Sequence, residues 1–425
     1  RLYKAVEACS DFACELGVNI PTGKDSLSMT QKYGDDKVYS PGTVIISAGA
    51  EVEDIKKIVS PALQNKKGSY IYHIDFSFDT LKLGGSALAL SLNRLGDEVP
   101  TVADPSYFVD AFEAVQELIK SGLVLAGHDI SAGGMLTALL EMCFPKVNGG
   151  LKVDLNAIAE DSWVKILFSE NPGVLIQVED KNAVEKLLQD AGVGFAQIAT
   201  VVDGRELSIA KGGKEITLDI DKMRDLWFKS SYLLDRKQSG EKCAKERFEN
   251  YKNQPLQIKF NDSFKGKLSQ FDLSADRRNA SGIKAVIIRE KGTNGEREMA
   301  YSLWLAGFDV KDVHMTDLTT GRETLEDVNI IVFCGGFSNS DVLGSAKGWA
   351  GGFRYSEKAK ETLAKFYARE DTLSLGICNG CQLMAELELL YPEHELKHKM
   401  LHNNSHKFES SFVGLQIPEN NSVMF

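Results

Sequence analysis

One ten-residue stretch, LSLGICNGCQ at residues 373–382, constrains the fold more than any other feature of this chain. An apolar run of strand type leads directly into a segment of helix type through the pattern Gly-x-Cys-x-Gly, with Cys378 at its centre. Glycines two residues before and after the cysteine allow a strand and a helix to pack closely around a strained turn. The pattern therefore predicts a nucleophile elbow, with the Cys378 sulfur presented at the end of a strand.

A cysteine in such a turn has the chemistry of a nucleophile. The N-terminus of the following helix favours the thiolate, and the backbone N–H of Asn379 would point at the oxyanion of an attacked carbonyl. A second glycine turn, CGGFS at 334–338, follows another predicted strand. It either supplies further N–H donors to the same oxyanion or is a tight turn that needs glycine only for its shape.

Other interpretations of the same cysteine remain open at this point. Residues 378–381 are also a C-x-x-C pair, which in redox proteins likewise begins a helix after a strand. The paired glycines, and the lack of an aromatic residue before Cys378, favour the elbow. A zinc site would need a second ligand pair, and a plain core cysteine needs no partner. Histidines recur every four residues around Pro392, but in a polar stretch with no helical pattern (His394, His398, His402 and His406).

Around the elbow, strand and helix patterns alternate regularly, which is typical of a doubly wound parallel sheet with its ligands at the strand C-terminal ends. The predicted strands are Lys284–Arg289, Phe308–Val313, Val328–Phe333 and Thr372–Ile377, and the predicted helices are Glu296–Ala306, Ser356–Arg369 and Gly380–Leu389.

The first 230 residues mix strands and helices in a second α/β or α+β arrangement. After an initial helix, the patterns predict strands at Thr43–Ala48, Ser69–Asp75, Leu123–Ala126 and Val174–Val178, a helix that Gly84-Gly85-Ser86 opens and that reaches Leu95, helices at Pro105–Lys120, Gly134–Cys143 and Lys181–Ala191, and a hairpin that turns at residues 211–214. A polar helix follows, and then a segment without periodicity that we interpret as a linker.

Three glycine turns in this part are candidate anion sites, each with a structural alternative. In HDISAGG (128–134), Asp129 has the chemistry to hold Mg²⁺ while Ser131 and the helix N–H groups face phosphates; the alternative is an ordinary helix cap. Gly84-Gly85-Ser86 either cradles an anion or allows close packing. The turn containing Lys24 and Asp25 resembles a phosphate loop but lacks its upstream glycine.

Composition excludes several classes of protein. Of 425 residues, 43% are hydrophobic and 26% charged, as in ordinary globular proteins. A net charge of −11 argues against nucleic acid as a partner, and no apolar run reaches the roughly 18 residues of a membrane helix. Seven scattered cysteines fit free thiols in a reducing compartment, so we expect a cytoplasmic protein. Both ends read as cut, which predicts a piece of a longer protein.

Five collinear stretches carry a resemblance to one family: PTGKDSLSM (21–29), LAGHDISAGGM (125–135), VHMTDLTTGRETLEDV (313–328), CGGFSNSDVLGSAKGWA (334–350) and LGICNGCQLM (375–384). Together they resemble the large-form phosphoribosylformylglycinamidine synthases of purine biosynthesis. Class I glutaminases of other pathways share the elbow but not the SDVLGSAKGWA stretch. The resemblance covers nearly the whole chain, and family members are considerably longer.

The resemblance implies a carbon–nitrogen ligase that uses ATP and Mg²⁺ to activate the amide of formylglycinamide ribonucleotide, with ammonia supplied from glutamine. It implies a PurM-like α/β synthetase part followed by a class I glutaminase domain. In those terms, residues 1–52 end an N-terminal-type synthetase subdomain, 53–230 form a C-terminal-type subdomain, 231–280 are a linker, and 281–425 are an incomplete glutaminase domain.

The resemblance also assigns roles to individual residues. Mg²⁺ coordination maps onto Asp129, the nucleotide contact onto Ser131 and the nucleophile onto Cys378, with Gly336 and Phe337 at the oxyanion hole. Two departures matter. Ala132 stands where the family motif HDxSDGG has Asp. The histidine and glutamate that complete the cysteine triad are expected beyond Phe425, so we expect this chain without the rest of its parent to be nearly inactive.

Overall fold

The computed structural model describes residues 2–23, 30–40, 43–253, 259, 262–276, 278–420 and 422–424. They fall into two compact units, Arg1–Leu234 (unit 1) and Asp235–Phe425 (unit 2). Among the helices that the structure describes, none combines the length and the apolar character that crossing a membrane requires.

Unit 1 contains nine strands and the helices that cover them, counted over its described residues. In chain order these are α1 (Leu2–Glu15), β1 (Thr30–Tyr33), β2 (Asp36–Tyr39), β3 (Tyr70–Asp75), α2 (Ala87–Ser91), α3 (Pro105–Lys120), β4 (Val124–Asp129), α4 (Gly134–Cys143), β5 (Gly150–Asp154), α5 (Trp163–Phe168), β6 (Gly173–Val178), α6 (Lys181–Asp190), β7 (Phe195–Val202), β8 (Glu206–Lys211), β9 (Lys214–Asp219) and α7 (Ile220–Asn250), which continues into unit 2.

Seven of these strands form one sheet in the order β4-β6-β3-β7-β5-β8-β9. All neighbours are antiparallel except β5 and β8, which are parallel. The β8–β9 hairpin turns at Lys211 and Lys214, as predicted. The sheet places the end of β4, and with it Asp129, at one edge.

The sheet of unit 1 has an apolar layer on each face, because side chains alternate along its strands. On β3, Ile71 belongs to the cluster that contains Leu139 of α4, whereas Tyr72 belongs to the cluster that contains Leu118 of α3. Burying a side chain of this size contributes roughly 1.5–3 kcal/mol. Two faces covered by helices give the layered α/β core that the sequence predicts.

Helix α3 begins where the Asp104-Pro105 signal places it. The Asp104 carboxylate accepts hydrogen bonds from the N–H groups of Ser106 (2.9 Å) and Tyr107 (3.2 Å). Pro105 occupies the first helical position, where a missing N–H has no cost. The helix then ends at Lys120, which confirms the predicted bounds.

Two predicted elements of unit 1 differ in the structure. Thr43–Ala48 is not a strand: the described residues there are exposed, with Ile45 at 83%, and a β-branched run forms a strand only beside a partner edge. Helix α2 ends at Ser91 rather than Leu95, because Asn93 adopts a left-handed conformation (φ 55°) that reverses the chain.

Unit 2 contains the alternating pattern around the elbow. After the end of α7, its described residues form β10 (Lys284–Arg289), β11 (Thr293–Asn294), α8 (Glu296–Leu305), β12 (Asp309–His314), α9 (Met315–Thr320), β13 (Ile330–Phe333), β14 (Gly335–Gly336), α10 (Lys347–Arg354), α11 (Glu357–Tyr367), β15 (Leu373–Gly376) and α12 (Asn379–Glu386). Each strand and helix predicted from the sequence between residues 284 and 389 is present, with ends shifted by up to three residues.

Four parallel strands form the main sheet in the order β12-β10-β13-β15. The chain moves to one side of β10 with β12 and to the other side with β13 and β15. Such a reversal leaves a crevice at the C-terminal ends of β10 and β13, which is where doubly wound sheets bind ligands. The turns after β10, β13 and β15 therefore lie at the same end of the sheet.

Both faces of this sheet are buried, which explains the continuous apolar run of β10. Val286 and Ile288 pack in the cluster that contains Trp349 of α10, and Ile287 packs in the cluster that contains Leu303 of α8. Strands covered on two sides are apolar at successive positions rather than at alternate ones.

Part of the predicted linker is helical, because α7 extends to Asn250 with a break at Gly240 (φ 79°). Within unit 2, Asp235 of this helix is buried, and its carboxylate accepts hydrogen bonds from Ser239 Oγ (2.7 Å) and Lys407 Nζ (2.7 Å). Arg247 forms an ion pair with the same carboxylate. These contacts hold the pKa of Asp235 at about 2, with the Lys407 hydrogen bond as the largest cause.

We predict that Asp235→Asn destabilises unit 2 at neutral pH and that this effect fades in acid. A carboxyl group with a lowered pKa stabilises the folded state above its unfolded value of 3.8 and loses that contribution as the pH falls toward about 2. Urea midpoints of both proteins between pH 7 and pH 3 measure the difference. Glu370→Gln, at an exposed position, is the control, and a pH-independent difference would contradict the prediction.

Candidate active site

The turn between β15 and α12 has the strained geometry of a nucleophile elbow. Cys378 has φ 51° and ψ −107°, a conformation that costs a residue with a side chain roughly 1–3 kcal/mol. The turn is held by hydrogen bonds from Ile377 N–H to the Phe333 carbonyl (3.1 Å) and from Gly380 N–H to the Ile377 carbonyl (2.8 Å). The predicted strand–turn–helix is confirmed, and the role of Cys378 as a nucleophile stays a prediction.

Both glycines of the pattern are required by close backbone approach. A Cβ atom on Gly380 would lie 2.1 Å from the Phe333 carbonyl oxygen, and one on Gly376 would lie 2.7 Å from the Gly380 carbonyl oxygen. Neither neighbour is a flexible side chain that could move aside. The helix therefore packs on the strand ends only because these two positions lack side chains.

The second glycine turn lies directly against the elbow. A Cβ atom on Gly335 would be 3.3 Å from the Cys378 Cβ atom. Gly336, at φ 110°, pairs with Thr293 in the short β11–β14 ladder, and a Cβ atom there would lie 2.7 Å from the Asn294 nitrogen. The two turns that the sequence singles out are thus neighbours at the crevice.

The backbone donors of these turns differ in availability. Asn379 is the first residue of α12, so its N–H has no acceptor within the helix. The N–H of Phe337 donates to the Gly292 carbonyl at 2.8 Å. In this conformation the Phe337 N–H is engaged with the Gly292 carbonyl, so Gly336 is the better placed candidate of this turn, and the oxyanion role of both residues stays a prediction.

The thiol of Cys378 is exposed, and all seven cysteines of the chain are free. Cys378 and Cys381 therefore do not form a disulfide in this structure. The irregular segment that follows α12 contains His394 and His398, whose ring centroids are 6.2 Å apart. No group of three or more histidine, cysteine or acidic residues suited to a metal occurs in the described ranges, so a zinc site has no ligand set there.

Two other cysteines are chemically different, because they are buried. Burial raises the pKa of Cys143 to about 12 and that of Cys334 to about 11. For Cys334 the nearby carboxylates of Glu296 and Asp312 add to the effect. Thiols of this kind remain protonated and unreactive at neutral pH.

In unit 1, Asp129 ends β4 with a side chain that is 72% exposed. The neighbouring His128 ring lies between two acids: its Nδ1 is 3.4 Å from Asp129 Oδ1, and its Nε2 is 3.2 Å from Glu141 Oε2. Trp227 Nε1 donates to the other oxygen of Glu141 at 2.8 Å. The solvent-facing carboxylate of Asp129 thus lies beside a partly buried histidine that a second acid contacts.

The oxygen ligands around Asp129 are too few to enclose Mg²⁺ but suffice for Mg²⁺ that is bound together with phosphates. Mg²⁺ in nucleotide sites is usually held by one or two carboxylates together with phosphate oxygens and water. Asp129 supplies one exposed carboxylate, and Ser131, also exposed, supplies a hydroxyl two residues later. These residues fit a cation that arrives with phosphates rather than one enclosed by protein ligands.

The turn at Gly84-Gly85-Ser86 has no free N–H groups in this conformation. Gly84 donates to the Glu98 carbonyl (2.7 Å), Gly85 to the Leu95 carbonyl (2.7 Å), and Ser86 to the Leu83 carbonyl (3.2 Å). A Cβ atom on Gly84 would lie 2.3 Å from the Glu98 oxygen. In this conformation the turn allows close packing and its N–H donors are engaged, and the phosphate contact stays a prediction. Lys24 and Asp25 lie outside the described residues.

Glu170 connects two of the candidate turns, a contact that the sequence did not indicate. Its Oε1 atom accepts hydrogen bonds from the N–H of Ala87 (2.7 Å) and from the N–H of Gly133 (2.9 Å). One carboxylate therefore joins the turn before α2 to the turn before α4, which carries Ser131. A lone glutamate in a loop has no sequence signature for such a contact.

We predict that alkylation distinguishes the cysteines by burial. At pH 8, iodoacetamide should modify Cys378 in the folded chain and leave Cys143 and Cys334 unmodified, since their raised pKa values keep them protonated. Peptide mapping measures each site, and the same reaction in urea is the control in which all should react. Protection of Cys378 in the folded chain would contradict the described elbow.

We predict that Gly380→Ala destabilises unit 2 by about 3 kcal/mol or more, because its Cβ atom would overlap the Phe333 carbonyl oxygen. Gly351→Ala is the matched control: Gly351 lies in α10, and a Cβ atom there would be 3.7 Å from the nearest side chain. Urea denaturation measures both variants. Equal stability of the two would show that the helix does not approach the strand as closely as described.

Three successive parts of the chain match models of known protein families. Residues 1–51 match the FGAR-AT PurM_N-like domain, and residues 66–212 match the C-terminal domain of AIR synthase related proteins. Residues 282–425 match the CobB/CobQ-like glutamine amidotransferase domain. The last match contains both glycine turns and Cys378.

Individual relatives cover the chain to different extents. A probable phosphoribosylformylglycinamidine synthase, chloroplastic/mitochondrial, of Arabidopsis thaliana is 37% identical over 439 residues, which is 100% of this chain and 30% of the relative. Among solved structures, Thermotoga maritima PurL complexed with ATP is 17% identical over 40% of this chain and 28% of that chain (TM-score 0.33). A thiamine-monophosphate kinase from Stenotrophomonas maltophilia is 14% identical over 36% of this chain and 52% of that chain (TM-score 0.25).

The chain thus spans 30% of the length of this Arabidopsis thaliana relative, and the match runs from end to end of the chain. Its domains follow one another as an AIR synthase-related domain and then a glutamine amidotransferase domain. Over its whole length the chain is therefore similar to a phosphoribosylformylglycinamidine synthase, and it contains an AIR synthase-related domain followed by a glutamine amidotransferase domain.

Proposed function

We propose that unit 2 releases ammonia from glutamine with Cys378 as the nucleophile, and that the parent protein uses this ammonia to convert formylglycinamide ribonucleotide to formylglycinamidine ribonucleotide at the expense of ATP. One observation carries the proposal: Cys378 is exposed at φ 51° between a strand and a helix, beside a second glycine turn. A packing cysteine would gain nothing from this strain.

In the proposed reaction, the Cys378 thiolate attacks the side-chain amide carbon of glutamine. The C–S bond forms as the carbonyl electron pair moves to oxygen, and the N–H groups of Asn379 and Gly336 stabilise that oxyanion. Collapse of the intermediate expels ammonia once its nitrogen has taken a proton, and a thioester remains. Water then cleaves the thioester to give glutamate and the free thiol.

Protonation of the leaving nitrogen needs a general acid, and attack of water on the thioester needs a general base that takes its proton. We place both groups outside the described residues. No hydrogen bond or ion pair of the Cys378 thiol occurs within the described part of the chain. Acid–base catalysis contributes about 10²–10⁴-fold to such reactions. We therefore propose that the 425-residue chain binds glutamine but turns it over very slowly.

For unit 1 we propose a supporting part in nucleotide binding. Asp129 would hold a Mg²⁺ ion that is bound together with ATP, and the Ser131 hydroxyl would contact the nucleotide. Mg²⁺ there would neutralise phosphate charge during activation of the substrate amide. Free cysteines throughout the chain support a reducing compartment, and we propose the cytoplasm. Residues 1–52, 53–230 and 281–425 are the proposed functional divisions, with 231–280 as their connection.

We predict that a chloroketone analogue of glutamine alkylates Cys378 in this chain and that excess glutamine blocks the reaction. Hydrolysis of glutamine by the chain should be about 10²–10⁴-fold slower than by the full-length protein, because acid–base catalysis is lacking. Mass spectrometry of the modified peptide and a glutamate assay measure the two quantities. Cys378→Ser is the control for both.

Two outcomes would contradict the proposal in different ways. Rapid glutamine hydrolysis that Cys378→Ser abolishes would show that the chain already contains the base. Formation of a reversible Cys378–Cys381 disulfide under mild oxidation, with no labelling by the analogue, would instead support the redox interpretation of the C-x-x-C pair.

A further inference from the structure

We propose that the side chain of Asn379 is a positioning residue that fixes the glycine turn against the nucleophile, in addition to any part its backbone N–H takes. This inference rests on the proposed glutaminase function of unit 2. The Asn379 side chain would set the distance between the two groups of oxyanion donors. Neither the spacing of the elbow nor its glycines explains how that distance is fixed.

Asn379 is fully buried and uses both ends of its amide. Its Oδ1 accepts the N–H of Ser338 at 3.1 Å. Its Nδ2 donates to Asp341 Oδ1 at 3.3 Å and to Gln382 Oε1 at 3.0 Å. Ser338 and Asp341 belong to the turn that follows Gly336, whereas Gln382 belongs to α12. One side chain therefore joins the turn to the helix that begins at the elbow.

The segment that Asn379 holds is itself strained. Three consecutive residues, Asn339, Ser340 and Asp341, have φ values of 51°, 55° and 49°. Such conformations cost of order 1–3 kcal/mol each and persist only where surrounding contacts impose them. Ser338 Oγ, in a residue only 1% exposed, has no hydrogen-bond partner among the described residues. A turn with these costs would relax if it were not restrained.

Restraints act on this turn from two sides. On the side of β10, Phe337 N–H donates to the Gly292 carbonyl (2.8 Å) and Asn339 N–H donates to the Lys291 carbonyl (2.9 Å). On the side of the elbow, the side-chain amide of Asn379 makes the contacts to Ser338 and Asp341. Asp341 Oδ1 also accepts Ala346 N–H at 3.2 Å, which extends the restraint to the start of α10.

The position of the turn matters because an oxyanion hole works only within a narrow distance. Its donors must lie about 2.7–3.1 Å from the developing charge, and an error of about 1 Å lowers the rate by up to about 10²-fold. Asn379 N–H lies on the helix side and Gly336 N–H on the turn side. A side chain that ties these two sides together controls the rate of attack more than it controls glutamine binding.

The test exchanges the amide and the carboxylate between positions 379 and 341. Asn379→Asp keeps an acceptor for Ser338 but places two carboxylates together, since Asp341 faces the same atom. Adding Asp341→Asn restores a donor–acceptor pair of the same size with its polarity reversed, but it gives up the hydrogen bond from the Ala346 N–H, which uses the same Asp341 oxygen. Coupling between the two sites is what a double-mutant cycle measures.

The primary readout is alkylation of Cys378 by the glutamine chloroketone, resolved into a maximal rate and a half-saturating concentration. Asn379→Asp should lower the maximal rate by about 10–10²-fold with little change in the half-saturating concentration. The double variant should recover part of the rate, because it removes the carboxylate pair but not every contact of the native pair. Asn420→Asp, the same change at an exposed position of unit 2, is the control. Alkylation by iodoacetamide, which needs no oxyanion hole, should change little in any variant.

A second readout separates this inference from the proposed function. Asn379→Ala should speed hydrogen exchange at the Ser338 amide by about tenfold, because it removes the acceptor of that N–H. Faster exchange without any alkylation of the wild-type chain by the analogue would refute the glutaminase function and leave the structural restraint intact. Unchanged exchange, or equal loss of rate in the single and double variants, would overturn the positioning role.

Discussion

The close contact between Gly380 and the end of β13 is the constraint on which the rest of unit 2 depends. The Phe333 carbonyl accepts the N–H of Ile377 and lies where a Cβ atom of Gly380 would be. Strand β13 thus contacts the elbow through its last carbonyl group and then continues into the second glycine turn. Because β13 and β15 are neighbours in a parallel sheet, both turns emerge at the same end. The strained conformation of Cys378 lies between the two residues, Ile377 and Gly380, that contact this carbonyl.

The sequence predicted most elements of unit 2 because their signals are local. Buried parallel strands are apolar at successive positions, and β10, KAVIIR, needs no information from elsewhere in the chain. In unit 1, local caps such as Asp104-Pro105 were equally informative. The strands β5 and β7 were not predicted, because Ala, Gln, Thr and Gly dilute their patterns and their pairing partners lie far along the chain. Thr43–Ala48 was wrongly predicted to be a strand, because its β-branched residues favour strand structure. Among the described residues, no strand pairs with this segment.

In the candidate site, too, the local features were predicted from the sequence and the long-range contacts were not. The elbow is encoded within five residues, so its geometry followed from the glycine spacing. The contacts that complete it cross the chain: Asn379 reaches Ser338 over 41 residues, and Glu170 reaches Ala87 over 83. Such partners leave no periodic or motif signal in a single sequence. They become visible only when the fold brings the two turns together.

Glycine turns that looked alike in sequence differ in whether their N–H groups are already used. At Gly84-Gly85-Ser86 every N–H donates to a carbonyl of the same turn or a nearby loop, and the glycine serves close packing. At the elbow, Asn379 begins a helix that provides no acceptor for its N–H, and the neighbouring turn is held by the same residue's side chain. A turn whose donors are paired is stable and has nothing to offer a ligand. At the elbow the strained residue is instead an exposed cysteine followed by a helix N-terminus, and the buried side-chain amide of Asn379 restrains the strained turn beside it.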